Sequence, residues 1–105
     1  MITIEKLKTI LLKGDLAVLK TALKNYNINE CDKFGNTALH LAVMEQQYEA
    51  FSYLIEKGAD VNAQNTHGNS VLSVAVFNYK KNPPLYNKMI EILLKHNANP
   101  HLTNQ

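Results

Sequence analysis

Apolar positions along this chain fall into short helical stripes separated by turn-forming clusters. Ile4, Leu7 and Leu11 recur at helical spacing and predict a first short helix. Gly14-Asp15 interrupts it, and Asp15 is placed to cap a second helix whose inward positions are Val18, Leu19, Ala22 and Leu23. From Thr37 the run TALHLAVMEQ sets Leu39, Ala42 and Val43 on one side. YEAFSYLIEKG follows with a single polar stripe, Glu49, Ser52 and Glu56, on an otherwise mostly apolar surface. Gly58 is positioned as a left-handed helix cap. Near the C-terminus, YNKMIEILLKHN repeats the arrangement: Lys88, Glu91 and Lys95 form the polar stripe, and Met89, Ile90, Ile92, Leu93 and Leu94 are apolar.

The stripes repeat. Gly35, Asn36, Thr37, Leu39 and Ala42 in DKFGNTALHLA return as Gly68, Asn69, Ser70, Leu72 and Ala75 in NTHGNSVLSVA, each step being 33 residues. A fixed period of about 20–50 residues signals units that bury their apolar faces only by stacking on one another. Further on, Leu54 to Leu93 and Ala59 to Ala98 are each 39 apart rather than 33, so six extra residues lie within FNYKKNPPLYN, between the two helices of the last unit. The join at Tyr26-Asn27-Ile28-Asn29 is about one residue short.

These residues resemble the ankyrin repeat. Asp32, Gly35, Thr37, Leu39, His40 and Ala42 match the family's Asp-x-x-Gly-x-Thr-Pro-Leu-His-x-Ala pattern, with Ala38 where proline is usual, and Gly58 to Asn62 match its Gly-Ala-Asp-Val-Asn ending. In the last unit Asn65, Val71 and Ser73 replace the usual Asp, Pro and His, and KHNANPH replaces the closing signature. The resemblance implies an all-α fold of three stacked helix-turn-helix repeats with short hairpin-like turns. The expected division is an N-terminal capping repeat over 1–31, a central repeat over 32–64 and a degenerate repeat over 65–105, within one domain.

Composition narrows the function. Eleven lysines stand against nine acids and there is no arginine, so the side chain best suited to bidentate phosphate or guanine recognition is missing, and no nucleic-acid partner is expected. No run approaches a membrane span, no Asn-x-Ser/Thr acceptor occurs among thirteen asparagines, and one cysteine forms no intrachain disulfide, which together fit a cytoplasmic setting without a membrane partner. Cys31 is expected half-buried beside the Asp32 turn. His40 occupies the family's histidine position and reads as a structural hydrogen-bonding element tying turns together. His67 reads as an exposed tip residue, and His96 and His101 flank NANP without making a built metal site. With no phosphate loop, His-Glu metal motif or Ser/His/Asp grouping, no enzyme activity, cofactor or metal is expected.

Binding of a partner protein is the expected function. Carried from the family onto this chain, the contact positions at hairpin tips and on the exposed face of first helices are Lys33, Phe34, Asn36, Met44 and Glu45, then Thr66, His67, Asn69, Phe77 and Asn78. Phe34 is either an aromatic anchor or packed against the neighbouring tip. The insertion, 79–86, carries Tyr79, Lys80, Lys81, Tyr86 and a stiffening Pro83-Pro84 pair, and is either a second contact surface or a plain loop extension. Around Leu94 the last helix is as apolar as if another unit followed. Each such side chain left in water forfeits roughly 1.5–3 kcal/mol of burial. A partner, a second copy, the insertion or further repeats could cover it. Alternatives to a general binding module are an inhibitor that occludes one enzyme and a self-assembling structural protein.

Overall fold

A computed structural model describes residues 2–100. Its helices run in pairs: α1 (Ile4–Lys13) with α2 (Leu16–Ala22), α3 (Ala38–Met44) with α4 (Tyr48–Glu56), and α5 (Val71–Phe77) with α6 (Pro83–Lys95). The first helices form one layer, α3 packing between α1 and α5, and α2, α4 and α6 form the second. Between pairs the chain turns through hairpin-like tips, each closed by one antiparallel bridge, Cys31 with Thr37 and Gln64 with Ser70. No helix among the described residues is long and apolar enough to cross a membrane.

Every helix but α4 starts where a side-chain oxygen satisfies a backbone amide that has no partner within the helix. Thr3 accepts from the Lys6 amide, Asp15 from Val18, Thr37 from His40, Ser70 from Ser73 and Asn82 from Leu85. Helix ends are equally specific. After α4 the Gly58 amide donates to the Ile55 carbonyl and the Ala59 amide to Leu54, with Gly58 at φ 90°. After α6 Asn97 takes the glycine position at φ 70°, and its amide and that of Ala98 reach Leu94 and Leu93. Asparagine tolerates that conformation better than most residues, so KHNANP performs the same stop as EKGADV.

The six extra residues are not a loop. Tyr79–Lys81 form a single 3-10 turn, and α6 begins a turn earlier than α4 does, with the prolines in its first turn, where a missing amide costs nothing. That extra turn buries Tyr86 completely, and its hydroxyl donates to the Val43 carbonyl at 2.8 Å. Tyr86 therefore belongs to the core and not to a contact surface.

Ile4, Leu7, Leu11, Leu39, Ala42, Val43, Phe51, Leu54, Met89 and Leu93 are buried in one cluster, as the stripes predict. Two positions depart from expectation. Val18 is 47 % exposed, because α2 packs through Leu19 and only partly through Ala22 and Leu23, leaving its other side uncovered. Cys31 is exposed and not half-buried: the bridge to Thr37 holds its backbone, while its side chain faces solvent.

Candidate functional site

The tips are built from carboxylate and amide oxygens. One Asp32 oxygen accepts the amides of Phe34 and Asn36, both at 2.9 Å, and Asn65 does the same for His67 and Asn69 at 3.0 Å. Only an oxygen is needed for that work, so Asn65 is no defect. Its Nδ2 also donates to Asn36 Oδ1 at 3.0 Å, a tie between tips that aspartate could not make. The Thr66 amide and hydroxyl both donate to the Phe34 carbonyl, at 3.0 and 2.9 Å. Successive tips are thus hydrogen-bonded edge to edge.

His40 completes this scaffold. The Thr37 amide donates to its Nδ1 at 3.2 Å, which places the ring proton on Nε2, and Nε2 donates to the Asn69 carbonyl at 2.9 Å. With the His40 amide returning to Thr37 Oγ1, the pair is a capping box that also reaches the next tip. The ring is buried, and burial lowers its pKa below the ordinary histidine value, opposed more weakly by the Asn69 bond and by Asp32. A protonated ring would also meet the Thr37 amide donor to donor. The folded state therefore prefers neutral His40. Its contribution to stability is complete above the unfolded pKa of about 6.5 and is lost as pH falls from there through the lower folded pKa, by up to about 1.4 kcal/mol per unit. Urea unfolding of the wild type and His40→Gln near pH 7.5 and pH 5 checks this. The stability gap between the two proteins is expected to shrink at the acid pH; a constant gap would place the pH dependence elsewhere.

The proposed contact residues divide into two groups. At the tips, Lys33, Phe34, Thr66 and His67 are exposed. The Phe34 ring is 51 % exposed with the Lys33 ammonium 5.2 Å from its centre, while the Phe34 carbonyl is held by Thr66. The side chain of Phe34 is therefore open to solvent while its backbone is fixed by the neighbouring tip. Met44, Glu45, Asn69 and Phe77 line an open groove of about 1130 Å³ that runs from the end of α3 across α5 to α6. Phe77 is 89 % exposed, an unusual state for a phenylalanine on a fixed helix.

Asn36 and Asn78 are buried and engaged internally, Asn36 with Asn65 and Asn78 through its Nδ2 with the Val74 carbonyl at 2.9 Å. Asn78 also lines the groove, next to Phe77, whereas Asn36 lies between the two tips. The groove is completed by residues not among the ten: Leu72, Val76, Lys81, Ile90 and Leu94. Ile90 and Leu94 were flagged by their apolar pattern, whereas Val76 gave no signal, since its counterpart 33 residues earlier, Val43, is fully buried. No group of three or more histidine, cysteine, aspartate or glutamate side chains able to hold a metal occurs among the described residues. His96 is exposed at the end of α6. His101 lies outside the described residues.

The model of the ankyrin repeat family, in three copies, matches residues 7–104. The chain is similar to ankyrin repeat domain-containing protein 13C of Homo sapiens, 39% identical over 64 residues, or 61% of this chain and 12% of that protein. It is similar to the Escherichia coli protein YahD, named for its ankyrin repeats, 44% identical over 54 residues, 50% of this chain and 27% of that one. It also resembles the nuclear factor NF-kappa-B p105 subunit of Gallus gallus, 37% identical over 86 residues, 82% of this chain and 8% of the relative. The chain spans less than a third of the length of each.

Proposed function

This chain belongs to the ankyrin repeat family, whose repeats generally serve as protein–protein interaction modules, and we propose that it is a non-catalytic module that binds a partner protein through its tips and groove. The observation that carries the reading is the pair of exposed phenylalanines on a rigid scaffold: Phe34 at a hydrogen-bonded tip and Phe77 on α5. An aromatic ring held in place loses little freedom on binding, and such residues dominate interface energies. Lys33, Thr66 and His67 frame the tip, and Met44 and Glu45 continue the surface along the end of α3. The exposed thiol of Cys31 fits a reducing cytoplasmic setting.

Affinity capture from a lysate of the source cell tests the proposal, comparing the wild type with a Lys33→Ala/Phe34→Ala variant shown to be folded by circular dichroism. A protein retained by the wild type is expected to bind the variant at least about 30-fold more weakly, the loss of one hot spot. Equal retention by both baits would remove the tips from the site.

A further inference from the structure

We draw no further inference here: the strongest candidate, the cleft of about 180 Å³ between the α1–α2 turn and the start of α4, sets the carboxylates of Asp15 and Glu49 beside helix amides that no side chain caps, so it selects neither an anion nor a cation and nothing in the structure shows what would fill it.

Discussion

Replacing Gly35 with alanine is expected to destabilise the protein by roughly 2–5 kcal/mol, a large part of the about 5–15 kcal/mol that holds a typical domain together. Two effects add. Gly35 sits at φ +79°, where an L side chain crowds its own backbone at a cost of about 1–2 kcal/mol. A methyl group there would also lie 2.6 Å from the Thr66 nitrogen and 3.0 Å from Asn65 backbone atoms, distances at which backbone must move. Movement of the second tip strains the two Thr66 bonds to the Phe34 carbonyl and the Asn36–Asn65 tie together. Gly58 separates the two effects, since it lies at φ +90° with no atom within 4 Å of an added Cβ. Gly58→Ala should therefore cost only about 1–2 kcal/mol. Urea unfolding followed by far-ultraviolet circular dichroism measures both variants. If the two substitutions cost the same, the tips do not abut as closely as the hydrogen bonds between them require.

This contrast shows what the chain discloses before folding. The repeat at 33 residues, the caps at Asp15 and Gly58, and the inward stripes of α1, α3 and α4 are local properties, set by spacing and by the few side chains that can satisfy a helix end, so the sequence displays them openly. The structural role of His40 was legible only through the resemblance, which places a hydrogen-bonding histidine at that position. Its acceptor, the Asn69 carbonyl, was not, because that contact depends on how one tip lies against the next. Cys31 and Val18 were misjudged on the same account: exposure is a property of neighbours, and a repeat pattern supplies positions but not what covers them. Asn65 counted as a departure from the pattern while performing the aspartate's work and adding an inter-tip bond. Val76 is the converse case, a faithful copy of Val43 in sequence that lies open because nothing among the described residues packs on it.

Tyr86→Ala is expected to cost about 3–5 kcal/mol, the range for removing a buried aromatic ring, and Tyr86→Phe only about 0.5–1.5 kcal/mol for the lost hydrogen bond. The reasoning starts from the insertion. Spacing alone located six extra residues between two helices, which made Tyr86 a loop residue; instead Pro83-Pro84 start α6 early and the added turn carries Tyr86 inward. Its ring is fully buried, and its hydroxyl reaches the Val43 carbonyl in the last turn of α3, joining the third repeat to the second. Burial, together with the nearby Glu45, raises its pKa, so it remains a neutral donor. The Val43 carbonyl keeps a longer bond from the Gln46 amide at 3.3 Å when the hydroxyl is removed, which is why the phenylalanine variant should be mild. The alanine variant instead opens a cavity at the contact between repeats. Repeat stability is a sum of weak units and strong nearest-neighbour contacts, and about three repeats are the minimum for an independent stack. Loosening the third should therefore release the first two with it, in one transition at lower urea rather than two. Equal losses for the two variants would make the hydroxyl, and not the ring, the element that holds α6 to α3. A two-step transition in Tyr86→Ala would show that the first two repeats stand without the third.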